Sequence, residues 1–159
     1  MTAAQTTTAA VDVPWLSAEQ QRVWRSYLLG SARLTARLEA QLRDFGLDLG
    51  EYEILVRLSD AADHRVRMAE LADSVQQSRS RLTHTIGRME AAGLVERVSC
   101  PTDRRGVWAH LTDDGMALLE SAAPAHVRSV RQYFVDAMTE ADYVALGRAF
   151  AAVADACAE

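Results

Sequence analysis

Lysine is absent from the 159-residue chain, and all 17 basic residues are arginine. The plain reading is genomic base composition; the functional one is that guanidinium groups pair bidentately with phosphate and with guanine. Three prolines and eight glycines are few for this length, and with abundant alanine they favour helix. No stretch reaches the roughly 18 consecutive apolar residues of a membrane-spanning helix. The two cysteines, Cys100 and Cys157, form no CxxC pair, so a reduced, cytoplasmic setting is the expectation. His64, His84, His110 and His126 show neither HxxxH nor HExxH spacing, which leaves a zinc site or other metal cofactor without support. No nucleophile–base set and no phosphate-binding glycine loop is present, so an enzyme is not expected. Residues 1–13, mostly Thr and Ala, lack the cationic start and apolar core of a secretory signal. Residues 1–14 read instead as a disordered arm.

What remains is 49% hydrophobic and 25% charged, enough to bury a real core. The net charge of −5 argues against wholesale coating of nucleic acid, but the charge is uneven. Residues 75–111 hold six arginines against Glu90, Glu96 and Asp103. That is a basic patch on an acidic body, able to bind DNA at one face.

The patch lies within residues 68–111. A short helical pattern (Met68, Leu71, Ala72, Val75) is followed by a turn at Gln76-Gln77. A second helix is capped by Ser78 and ends at Gly93. Its apolar residues Leu82, Ile86 and Met89 form one stripe. At about 100° per residue, Ser80, His84, Gly87 and Ala91 fall opposite, with Arg81 and Arg88 flanking. A face that is small in the middle and basic at its edge suits the floor of a major groove. Two β-branched runs then flank a loop containing Pro101, Asp103, Arg104, Arg105 and Gly106, with Cys100 just before Pro101 at its base. The order is that of a winged helix-turn-helix.

Around this unit the chain is helical. Ser17 and Gln20 form a capping box for a long first helix carrying Val23, Trp24, Tyr27, Leu28, Leu34, Leu38, Leu42 and Phe45, stopped at Gly46-Leu47. Asp48 and Glu51 form a second box, and Val66 is a candidate extra strand. Thr112 caps a helix that Pro124 is expected to kink or break. Thr139 starts the last helix, with Tyr143, Leu146, Phe150, Val153 and Cys157 on one side. The fold class is mainly α with a small β-ribbon and about six helices. The long first helix is more than a small domain needs to cover itself, which suggests an interface with another chain.

The segments LADSVQQSRSRLTHTIGRMEAAGLVER and TDRRGVWAHLTDDG resemble the MarR family of bacterial transcriptional regulators. The second carries the family's wing pattern, D-x-R then L-T-x-x-G, in Asp103, Arg105, Leu111, Thr112 and Gly115. Arg67 stands where the family usually has a Thr or Ser cap, and Gln76-Gln77 replaces a Gly-containing turn. The resemblance implies a homodimer on double-stranded DNA at a pseudo-palindromic operator, commonly a repressor released by a small phenolic or aromatic acid. It divides the chain into the arm (1–14), a helical dimerisation region (15–47 and 112–159) and a winged DNA-binding domain (48–111). The DNA-contact candidates are Ser78, Arg79, Ser80, Arg81, Thr83, His84, Arg88, Asp103, Arg104 and Arg105; Arg81 and His84 are the candidates for base reading. Trp24, Tyr27, Arg33 and Tyr52 are candidate effector contacts. The alternatives are a winged-helix protein-interaction module, or oxidant sensing through Cys100. Cys157 reads as core or a frayed terminus.

Overall fold

A computed structural model describes residues 13–99 and 106–158. In order it contains α1 (Ala18–Leu42), a 3-10 turn (Arg43–Phe45), α2 (Leu49–Asp60), a second 3-10 turn (Ala62–His64), β1 (Arg65–Arg67), α3 (Met68–Ser74), α4 (Arg79–Ala91), β2 (Val95–Ser99), β3 (Val107–Leu111), α5 (Asp113–Val130), a π turn (Arg131–Val135) and α6 (Glu140–Ala156). The expected class therefore holds: six α-helices and one small sheet among the described residues. The sheet gains a third strand, in the antiparallel order β1-β3-β2. Its third strand is the one anticipated at Val66, which pairs with Ala109. The arm lies outside the described residues except for positions 13 and 14, as do Cys100, Asp103, Arg104 and Arg105.

Helix starts are set by local side-chain capping. The Ser17 hydroxyl accepts from Gln20 N at 3.2 Å and Gln20 Oε1 accepts from Ser17 N at 2.8 Å. Asp48 and Glu51 close the same reciprocal box on α2. Ser78 and Thr112 cap α4 and α5, each accepting from the amide three residues on. These bonds satisfy amides that the first helical turn leaves without partners. The α1 region stops as expected: Gly46 takes φ +73°, and Leu47 N donates to Leu42 O at 3.2 Å. Arg67, at the N-cap of α3, makes no side-chain capping bond. Gln76 fills the usual glycine position of the turn at φ +51°, a left-handed conformation costly for a residue with a Cβ.

Of the kink or break expected at Pro124, a break does not occur. Helix α5 runs through it from Asp113 to Val130. Leu119 and Ala122 are buried on one side of the helix, and Pro124 is exposed.

Contacts divide the chain into two compact units, one ending at Arg33 and one starting at Leu34. In the first, α1 presents Val23, Trp24, Tyr27, Leu28 and Leu29 as exposed side chains. In the second, Ile54, Leu55, Leu58, Leu71, Leu82, Ile86 and Ala109 are wholly buried in one core. Helix α6 has no buried residue, and Cys157 at its end is exposed.

The junction of sheet and α5 is unusually close. A methyl on Gly115 would collide with the backbone carbonyl oxygen of Leu94 and with the Leu111 side chain. Thr112 locks the same corner, its hydroxyl donating to Gly93 O at 2.7 Å. This is the physical content of the L-T-x-x-G pattern. Gly115→Ala should therefore lower unfolding stability by about 1–3 kcal/mol, as overpacking does. Urea melts would check this, and an unchanged midpoint would contradict the close approach.

Candidate nucleic-acid interface

Helix α4 is anchored by its inner stripe. Leu82 and Ile86 are 0% exposed and Met89 is 1%. Thr85, also buried at 7%, extends this face beyond what the apolar pattern indicated. The opposite side is then forced outward: Ser80, Arg81, Thr83 and His84 are all exposed. Gly87 is half-buried, and a Cβ there would touch the Arg97 guanidinium at 3.4 Å.

The hydroxyls on α4 are partly committed to the helix itself. Ser78 Oγ accepts from Arg81 N at 3.2 Å, and Thr83 Oγ1 donates to Arg79 O at 2.8 Å. Arg88 has a partner from far along the chain. Its guanidinium donates to Asp48 Oδ2 at 3.1 Å and to Glu51 Oε1 at 2.9 Å, the two members of the α2 capping box. It thus joins α4 to the start of α2.

The sheet sets a second basic surface beside α4. Arg97, on β2, donates to Thr83 O at 3.0 Å and pairs with Glu90 at 3.4 Å. Its backbone amide also donates to Glu90 Oε1 at 3.1 Å. On the other face of the sheet, Trp108 is the cross-strand partner of Arg67. The guanidinium carbons of Arg65 and Arg67 lie 5.4 and 5.3 Å from its ring centroid. Sequence reading missed Arg65, Arg67, Arg97 and Trp108. Their only advance signal was the alternation of strand residues, which needs the three-strand register to become a surface.

The profile of the MarR family matches residues 45–106. AbsC, a MarR family transcriptional regulator from Streptomyces coelicolor, superposes with a TM-score of 0.89 and 43% sequence identity, over 91% of this chain and 98% of that one. The chain belongs to the MarR family of transcriptional regulators. Sco3205, a MarR family regulator from the same organism whose crystal structure is of its complex with DNA, gives a TM-score of 0.88 and 42% identity over 91% of each chain. Among curated proteins, the HTH-type transcriptional repressor YetL of Bacillus subtilis (strain 168) is 30% identical over 100 residues, 63% of this chain. The chain spans 60% of the length of that relative. MarR-family proteins are DNA-binding regulators and not enzymes, in line with the lack of a catalytic set in the sequence. No described helix is long and apolar enough to cross a membrane.

Within this MarR-family chain the candidate effector residues fall in two places. Trp24 and Tyr27 lie in the first unit with ring centroids 5.5 Å apart, and Arg33 is exposed at its end. Tyr52 lies in the second unit, 7% exposed, with its ring 4.3 Å from that of His126 on α5. Burial raises the Tyr52 pKa above its ordinary value and lowers that of His126. His126 Nδ1 and both amide atoms of Gln41 are buried without a hydrogen-bond partner among the described residues.

The His126 shift has a signed consequence. Its folded pKa lies below the ordinary 6.5, so the unfolded chain takes up the proton first. The stability contributed by neutral His126 is present above pH 6.5 and is lost as pH falls through the folded-state pKa. Between about pH 7.5 and about pH 5.5 the wild-type urea midpoint should drop more than that of His126→Gln. Equal drops would contradict this assignment.

Proposed function

We propose that the chain is a homodimeric, sequence-specific DNA-binding regulator of the cytoplasm, acting as a repressor that a small aromatic acid releases. The observation that carries the DNA reading is the α4 face: a buried apolar stripe behind, and exposed Ser80, Arg81 and His84 in front. Arg81 and His84 read base edges in a major groove. Ser78, Arg79 and Thr83 set the helix on phosphates, since such contacts position while base contacts specify. Arg88, paired with Asp48 and Glu51, steadies the helix and contributes charge at its edge. The loop with Asp103, Arg104 and Arg105 enters the neighbouring minor groove, whose negative potential attracts arginine.

Uncovered apolar side chains support the dimer. Helix α6 exposes Tyr143, Val144, Phe150 and Val153 at 42–56% and buries nothing. Helix α1 separately exposes Val23, Trp24, Leu28 and Leu29. Apolar faces of this kind mark contact surfaces. The helical segments 15–47 and 112–159 are accordingly the dimerisation region, and 48–111 the DNA-binding domain. Repression is the role named for YetL, and the complex of Sco3205 with DNA supports a DNA partner here. The ligand reading rests on Trp24, Tyr27 and Arg33, and separately on Tyr52. The partnerless buried atoms of Gln41 and His126 are groups that a polar ligand would satisfy.

Selection of duplexes from a randomised pool tests the assignment. Wild-type protein should recover a pseudo-palindrome with half-sites about 10–10.5 base pairs apart, centre to centre. Arg81→Ala should lose about 1–3 kcal/mol of discrimination at one base position in each half-site. Arg105→Ala should weaken binding with little change in the recovered major-groove sequence. Recovery of unenriched sequence by the wild type would defeat the proposal.

A further inference from the structure

Glu90 is the one acidic residue of α4, and it is exposed on a helix whose outward side chains are otherwise small or basic. A carboxylate there repels the phosphates of a duplex. Its partner is Arg97 on β2, and the contact is threefold. The Arg97 amide donates to Glu90 Oε1 at 3.1 Å, its Nη1 pairs with Glu90 Oε2 at 3.4 Å, and its Nη2 donates to Thr83 O at 3.0 Å. One residue of the sheet thus holds both carboxylate oxygens and a carbonyl about two helical turns back. Helical side chains lean toward the N-terminus, which brings Glu90 back toward Gly87. The guanidinium lies there, 3.4 Å from where a Cβ on Gly87 would stand. On the sheet, Arg97 pairs across strands with Ala109, which is 0% exposed.

We propose that Glu90 and Arg97 are positioning residues for sequence recognition: a brace that fixes the direction of α4 against β2, the strand that leads into the wing loop. The α4 face and the wing then meet their grooves together. The inference rests on the DNA-binding reading above, and in it neither residue touches DNA. Arginine suits the role because its planar fork serves two acceptors at once, whereas a lysine ammonium is a single point of charge. The pair is 34% and 39% exposed, so it adds little to global stability. Its effect is on the alignment of two elements. Charge and geometry therefore make opposite predictions at Glu90. If the carboxylate acted only through its charge, its removal would tighten binding to any duplex. If it holds the brace, its removal weakens binding to the cognate sequence although a repulsive charge has gone.

The probes are the duplex that wild-type protein selects from a randomised pool and a scrambled duplex of equal length; if none is selected, the DNA reading itself falls and the brace with it. Glu90→Ala should weaken binding to the selected duplex about tenfold and leave binding to the scrambled one equal or tighter. Glu90→Gln removes the same charge but keeps an oxygen for the Arg97 amide, so it should retain more of the discrimination. Arg97→Ala should lose discrimination as Glu90→Ala does, and the double variant should be no worse than either single one. On the scrambled duplex, the slope of log affinity against log salt should stay at its wild-type value in Arg97→Ala. Thermal melts show whether a loss comes from unfolding, and Glu90→Ala carries the test if Arg97→Ala does not fold. Tighter binding of Glu90→Ala to both duplexes, or identical behaviour of the two Glu90 variants, would overturn the proposal and leave Glu90 a charge effect alone. So would an Arg97→Ala loss that is equal on both duplexes with the salt slope reduced by about 0.9 per protomer, which would assign Arg97 to phosphate.

Discussion

The burial of Leu82, Ile86 and Met89 is the constraint on which the rest of the structure depends. Each such side chain contributes roughly 1.5–3 kcal/mol when fully removed from water, and all three lie on one side of a thirteen-residue helix. That anchorage leaves α4 no freedom to roll. Its outward residues are then determined by geometry, and apart from Glu90 they are small or basic. The surface proposed to read DNA is thus a consequence of core packing before any partner is considered.

Polar contacts around α4 refine its placement. Ser78 sets its first turn, and Gly93 at φ +76° ends it. Arg88 ties it to the acidic cap of α2, and Arg97 reaches from β2 to the Thr83 carbonyl. These bonds are largely exposed, so each adds little stability by itself. Their effect is on position: its own caps and two other elements, α2 and β2, fix α4 at defined points along its length. Gly115 does the same for the sheet, admitting the Leu94 carbonyl where a side chain would hold the elements apart.

Much of this was legible in the chain because it is local. Capping at Ser17, Asp48, Ser78 and Thr112 depends on residues three apart, and the α4 stripe depends on a single helical period. The turn at Gln76 was also visible, although its left-handed backbone was not. Interactions between distant residues were out of reach. Nothing near Arg88 announces Asp48, forty positions earlier, and the Arg67–Trp108 stack requires the β1–β3 register. At Pro124 the local rule allowed a kink or a break, and α5 continues through it from Asp113 to Val130. For the wing, the D-x-R pattern was readable in sequence, and its residues lie outside those the structure describes.

The central claim is that core packing of α4 presents its Arg81–His84 face to base edges in a major groove. Dimethyl sulphate footprinting of a selected duplex measures this most directly, because the reagent attacks guanine N7, a major-groove atom. The account predicts protected guanines in two clusters related by two-fold symmetry, about one helical turn apart. A stable complex on a duplex with guanines throughout both half-sites that leaves every N7 reactive would contradict it.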